Sequence, residues 1–337
     1  MPDQPVPLVV VGASAGGVEA LRTFVAGLPH DLPACVLVVL HVPASATSVL
    51  PSILDRSGPL PARHAREGDA LTAGQVLVAP PDHHLIVVDG HVTLSRGPWE
   101  NGHRPAVDVL FRSAARAAGE RVVAIVLSGS LDDGAAGMVA VAQRGGTRIV
   151  QQFDDALYDG MPRSAAAADH VEHVLPVAQM PALLTEVLAA LPPAPEAPPT
   201  ELMNAEAEMA DLDPDTMHDP DRPGTPSGFG CPDCNGALFE IEDGGMLRFR
   251  CRVGHAWSPD SLIARQSTAL ESALWMALRG LEEKVAMNTT LAGRADQRGD
   301  HRTAERFRAA ADESRGAAEL VRALVASIGG TAAEPQR

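Results

Sequence analysis

Short, wholly apolar runs alternate with stretches of helical period through the first half of the chain, and this alternation restricts the fold more than any other feature. Leu8-Val9-Val10-Val11, Ala34-Cys35-Val36-Leu37-Val38-Val39-Leu40 and Val122-Val123-Ala124-Ile125-Val126-Leu127 have no polar face. Strands of that kind are covered on both sides. After the first run, Val18, Leu21, Phe24, Val25 and Leu28 recur at helical spacing. Further helices are expected over 45–55, 105–118 and 180–191, with another strand around Arg148-Ile149-Val150. Faster alternation over 63–95, with Asp89-Gly90 between two apolar runs, marks a hairpin. The pattern predicts an α/β fold, a doubly wound, mainly parallel sheet with helices on both faces. Ligands of such sheets bind at the carboxyl ends of the strands.

Three strand ends carry reactive groups. The first run stops at Gly12-Ala13-Ser14-Ala15-Gly16, a G-x-S-x-G turn that lifts a serine between strand and helix. On local sequence alone the same turn reads equally as a phosphate cradle or a structural βα turn. A dinucleotide fingerprint fits badly, because it wants glycine at Ser14 and an acid at the end of the second strand. The second strand ends in His41 instead, and Asp132-Asp133 follow a third. A hydroxyl, an imidazole and a carboxylate on one sheet edge fit nucleophilic acyl chemistry. Ser14 would attack, His41 would move the proton, and the carboxylate would orient the imidazole. Amides of Gly129-Ser130-Leu131 and His41-Val42 are candidates for the oxyanion site.

Residues 8 to about 190 resemble the catalytic domain of the bacterial chemotaxis protein-glutamate methylesterases. The resemblance is carried by Val11-Gly12-Ala13-Ser14-Ala15-Gly16-Gly17, Leu40-His41-Val42-Pro43, Gln75-Val76-Leu77-Val78-Ala79-Pro80, His103-Arg104-Pro105-Ala106-Val107-Asp108-Val109-Leu110-Phe111, Leu127-Ser128-Gly129 with Asp133-Gly134, and Gly160-Met161-Pro162. It implies a serine hydrolase that needs no cofactor, removes γ-methyl esters from receptor glutamates with release of methanol, and also deamidates glutamines. The family's catalytic residues fall on Ser14, His41 and Asp133, which leaves Asp132 as the neighbouring carboxylate for a control. His103, Arg104 and Asp108 match the family at a helix start, and helix capping with surface charge explains them equally well. Two departures stand out. Gly129-Ser130-Leu131 replaces the family's usual Gly-Met-Gly, and the domain begins almost at Met1, so control by a preceding receiver domain is not expected.

Residues 193–228 are rich in Pro, Asp and Glu and read as an acidic, largely disordered linker, with a transient helix over 201–209. The linker separates a catalytic domain over 1–192 from a cysteine-bearing C-terminal region. There Cys231-x2-Cys234-x16-Cys251-x3-His255 offers four ligands of a closed tetrahedral site, a structural zinc ribbon over 229–258. Residues 259–330 are helical, with Gly299 as a break, and predict a hairpin or coiled coil that is either self-packed or a docking surface for other signalling proteins. Cys35 reads as a core residue, and His83 and His84 as loop residues.

The net charge of −16 argues against nucleic acid as a partner. No apolar run is long enough to insert in a membrane, and no leader is evident. A cytoplasmic protein acting on a methylated chemoreceptor-type partner is the leading expectation. The alternative is a catalytically weak scaffold that binds partners through the fold, the ribbon and the helices.

Overall fold

The computed structural model describes residues 6–192, 198–213, 215–216 and 223–331. It divides into two compact units, Met1–Leu262 and Ile263–Arg337.

In the first unit, β1 (Leu8–Ala13), α1 (Gly17–Ala26), β2 (Cys35–Leu40), α2 (Leu50–Ser57), β3 (Ala62–His64) and β4 (Gln75–Val78) lead into a hairpin of β5 (His84–Val88) and β6 (His91–Ser95). Next come α3 (Val107–Ala118), β7 (Val122–Val126), α4 (Ala135–Gln143), β8 (Thr147–Gln151), α5 (Gly160–Ala168), β9 (His173–Leu175) and α6 (Met180–Ala190). Seven strands form one sheet in the order β3-β4-β2-β1-β7-β8-β9, every pair parallel. β5 and β6 form a separate antiparallel ribbon.

The apolar runs explain the layering. β1 and β2 are buried at every position, and alternate residues supply two different cores. Leu8, Val10, Leu37 and Val39 pack with Leu110 and Phe111 of α3, while Val9, Val11, Val36 and Val38 pack with Leu21, Phe24 and Leu184 on the other face. Period-2 alternation between two helix layers is what a doubly wound sheet requires. Gly12 lets the start of α3 close on β1, since a Cβ there would lie 2.3 Å from a Val107 methyl carbon.

The segment read as a disordered linker is partly structured. Glu201–Ala210 forms α7, capped by Thr200, whose hydroxyl accepts from the Met203 amide, and it buries Met203, Glu206, Ala207, Met209 and Ala210. Residues 193–197, 214 and 217–222, also within that segment, lie outside the described residues. The zinc-type ribbon is an antiparallel sheet of β10 (Thr225–Gly230), β11 (Ala237–Asp243), β12 (Met246–Cys251) and β13 (Ala256–Trp257). Its core is Leu238, Phe249, Trp257 and Leu262 with the cysteines. The ribbon belongs to the same compact unit as the parallel sheet rather than standing apart.

α8 (Pro259–Gln297) and α9 (His301–Thr331) are the two expected helices. Gly299, with φ +76°, marks the break between them. Among the described residues no helix is long and apolar enough to cross a membrane.

Candidate active site

β1 and β2 pair in parallel with Ala13 opposite Leu40. The next residue on each strand is Ser14 and His41, so register alone sets the two at neighbouring tips. β7 flanks β1 on its other side, and the loop after it carries Asp133. Backbone bonds fix the tips: the Ser14 amide donates to Ser128 O at 2.9 Å and the His41 amide to Ala13 O at 3.1 Å. Gly16 turns the chain into α1 with φ +71°, a left-handed conformation that favours glycine.

His41 and Asp133 are joined: Nε2 lies 2.7 Å from Oδ2, both side chains being almost fully buried. His41 Nδ1 is buried with no hydrogen-bond partner among the described residues. The Asp133 carboxylate is held on every side. Oδ2 also accepts from the Val107 amide at 2.7 Å, and Oδ1 accepts from Asn101 Nδ2 at 3.1 Å and from the Asp108 amide at 3.2 Å. Burial by itself would raise this carboxyl, but the His41 hydrogen bond and charge, with the Val107 amide, outweigh it and hold Asp133 below the usual carboxylate range.

The residues around this pair divide. The His103 ring stacks on His41, centroids 3.6 Å apart and planes within 10°. Burial, then the neighbouring His41, lowers His103 to about 4, with Asp133 opposing, so the ring is neutral near pH 7. Asp108 is buried beneath the loop, where Oδ1 accepts from the Gly134 and Gly137 amides at 2.9 and 2.7 Å. Burial and the Asp133 charge push its carboxyl up. Arg104 instead braces a loop, donating to Asp82 and to the Arg96 and Gly97 carbonyls. A pocket of about 330 Å³ beside His41 is lined by Val42, Pro43, Ala44, Trp99, Gly102, His103 and Arg104.

Several expectations change. Asp132 is no neutral neighbour: it is buried and accepts from Ser261 Oγ. His84 is a fully buried core residue rather than a loop residue, with Nε2 2.9 Å from Pro98 O. Of the expected oxyanion amides, Gly129 donates to Tyr158 O and His41 to Ala13 O, which leaves Val42, Ser130 and Leu131 from that set. Asn101, which sequence reasoning missed, is buried between Asp108 and Asp133. Its only sequence signal is the turn-forming Asn101-Gly102. Burial pushes the Cys35 thiol up to about 12, consistent with an inert core position.

Cys231, Cys234, Cys251 and His255 converge, their ligand atoms all within 4.8 Å of one another. Cys234 and Cys251 Sγ are 3.6 Å apart, and His255 Nδ1 lies 3.7 Å from Cys231 Sγ and 3.6 Å from Cys251 Sγ. A zinc tetrahedron with bonds of about 2.3 Å to sulfur and about 2.0 Å to nitrogen has edges of roughly 3.5–3.8 Å, so this donor set fits.

Fold and site together define a doubly wound α/β protein with Ser14, His41 and Asp133 just beyond the carboxyl ends of three neighbouring strands. Residues 9–184 match the CheB methylesterase family, and the chain belongs to it. It is 43% identical over 171 residues to the protein-glutamate methylesterase/protein-glutamine glutaminase of Symbiobacterium thermophilum, covering 50% of this chain and 47% of that protein. A Pseudomonas aeruginosa protein of the same description is 40% identical over 186 residues, covering 54% of this chain and 53% of the relative. The crystal structure of the Thermotoga maritima CheB methylesterase catalytic domain superposes with a TM-score of 0.52 at 33% identity, covering 54% of this chain and 98% of that domain. The chain spans about half the length of the curated relatives it matches.

Proposed function

We propose that the chain is a serine carboxylesterase that hydrolyses γ-methyl esters of glutamate on a chemoreceptor-type protein, releasing methanol, and that the same centre deamidates glutamine. The observation that carries this reading is the His41–Asp133 pair. Asp133 holds Nε2, so the nitrogen left to serve as base toward Ser14 is the buried, unpartnered Nδ1. Ser14 Oγ attacks the ester carbonyl as Nδ1 takes its proton. The tetrahedral oxyanion collapses to an acyl-serine, and the proton passes to the departing methanol. Water then repeats the sequence and frees the glutamate. Asp133, kept ionised, stabilises the imidazolium formed in each half-reaction. Neutral His103 stacks on that ring without adding a like charge. The pocket beside His41 has room for the esterified side chain.

We infer further that the Cys3His set holds one structural zinc. All four positions of the tetrahedron come from the protein, so no site is left open for substrate. A metal-type set of free cysteines supports a cytoplasmic location.

Methylated receptor membranes test the activity. Wild-type protein should release methanol and Ser14→Ala should not; equal release by the two would remove Ser14 as nucleophile. A wild type inactive on several receptors would favour the scaffold alternative. Metal analysis should return about one zinc per chain, and a folded, metal-free protein would refute the ribbon assignment.

A further inference from the structure

The ribbon is welded to the esterase domain by a buried ion cluster. Arg250 donates to both Glu100 and Glu206, at 2.9 Å each; Arg248 donates to Glu206 at 2.7 Å and Asp243 at 3.0 Å; Arg112 donates to Glu100 at 2.7 Å. Three guanidiniums thus meet three carboxylates drawn from the domain, α7 and the ribbon. Separating the ribbon would strand these charges, so the contact is a permanent one.

That contact ends behind the triad. The Asn101 amide donates to Ala256 O at 2.8 Å, holding a residue whose φ of +53° is otherwise unfavourable. Asn101 Oδ1 accepts from the Ser258 amide at 2.9 Å and from Ser258 Oγ at 3.1 Å. This decides which end of the Asn101 amide faces inward. With its oxygen held by Ser258, its NH2 must point at Asp108 Oδ2, 2.8 Å away, and Asp133 Oδ1, 3.1 Å away. The reverse orientation would set a carbonyl oxygen against two carboxyl groups. Three residues on, Ser261 Oγ grips Asp132, the residue before Asp133.

We propose that Ser258 and Ser261, at the junction of the ribbon and α8, are positioning residues of the hydrolase: they fix Asn101 and Asp132, and through these the Asp133 carboxylate that orients His41. The active site is complete only with the ribbon folded against it. This inference rests on the assignment of Ser14, His41 and Asp133 as the catalytic set.

The test compares Ser258→Ala in the full chain with the same change in an Asn101→Ala background. Two quantities are read: kcat and KM for a small aryl acetate, and the downfield proton resonance of the His41–Asp133 hydrogen bond. Ser258→Ala removes the hydroxyl contacts to Asn101 and Asp132 while the residue-258 amide stays on Asn101; it should lower kcat roughly threefold with KM nearly unchanged, shift the resonance, and leave zinc content and thermal unfolding close to wild type. Ser258→Thr, which keeps the hydroxyl, should restore both readouts. In the Asn101→Ala background Ser258→Ala should cost less than in wild type, because the route through Asn101 is gone and only the Ser258 hydroxyl's contact with Asp132 remains. An unshifted resonance with wild-type kcat, or an equal loss in both backgrounds, would overturn the proposal. Should Ser258→Ala fail to fold, Ser261→Ala reads the second contact through the same resonance. If wild type shows no turnover, the esterase reading has failed, and the resonance still scores the positioning claim by itself.

Discussion

Leu131 occupies a left-handed backbone, φ +62°, in the loop between Ser14's neighbour Gly129 and Asp133. The resemblance to the methylesterases places a glycine there, and the observed φ gives the physical reason. A branched side chain in that region costs about 1 kcal/mol, and Leu131 is 41% exposed, so packing returns little of it. Leu131→Gly is therefore expected to raise stability by roughly 0.5–1 kcal/mol in urea unfolding; a loss of stability would show that the side chain packs favourably. Two histidines act the other way. Burial lowers His84 and His103 to about 4, whereas an unfolded imidazole titrates near 6.5. Below that value the unfolded chain takes up protons that the fold refuses, so stability falls as pH drops from about 6.5 toward 4. The loss approaches about 3 kcal/mol for fully buried His84 and is smaller for His103. Urea unfolding of His103→Gln between pH 7 and 4 should show a flatter dependence than wild type; an identical slope would mean that His103 takes up its proton at the same pH in the fold as in the unfolded chain.

Among elements, β1, β2 and β7 were legible because each is an uninterrupted apolar run, and their tips offered Ser14, His41 and the pair Asp132-Asp133 without knowledge of a single contact; the family resemblance, through Asp133-Gly134, chose between the two carboxylates. The four zinc-type ligands were legible from spacing, since a two-residue gap aims two sulfurs at one point. α7 was not. Residues 201–210 have the composition of solvated linker, and nothing local says that Glu206 enters a buried pocket of arginines. Its partners Arg248 and Arg250 share one face of β12 and come from more than 40 positions away. A charge this far inside depends on pairing that only the assembled fold creates. Burial would raise Glu206, but the guanidiniums of Arg248, Arg112 and Arg250 reverse this and hold it ionised. Glu206→Gln removes the counter-charge and should cost roughly 3–5 kcal/mol in equilibrium unfolding. A change under about 1 kcal/mol, the range of an exposed pair, would mean that α7 does not stay docked.

At the scale of the molecule, the boundary drawn from sequence at residue 192 and the boundary found in the structure at Leu262 make different claims about what the proposed hydrolase is. A catalytic domain followed by tethered accessories would function when cut at 192. A domain whose triad is braced by its ribbon would not. Cutting at 192 removes Arg250 from Glu100, removes the Ala256 and Ser258 partners of Asn101, and frees Asp132 from Ser261. The parallel sheet keeps both of its helix layers, so the shorter fragment should fold. It should, however, unfold at a lower temperature than a fragment of residues 1–262, because Glu100 and Arg112 lose the counter-charges that balanced their burial. The two fragments also separate stability from chemistry. Well below both unfolding temperatures, modification of Ser14 by a fluorophosphonate should run at the full-chain rate in residues 1–262 and roughly tenfold slower or more in residues 1–192. Equal rates at that temperature would mean that the parallel sheet alone sets Asp133 and His41, and that the ribbon serves only to cover them.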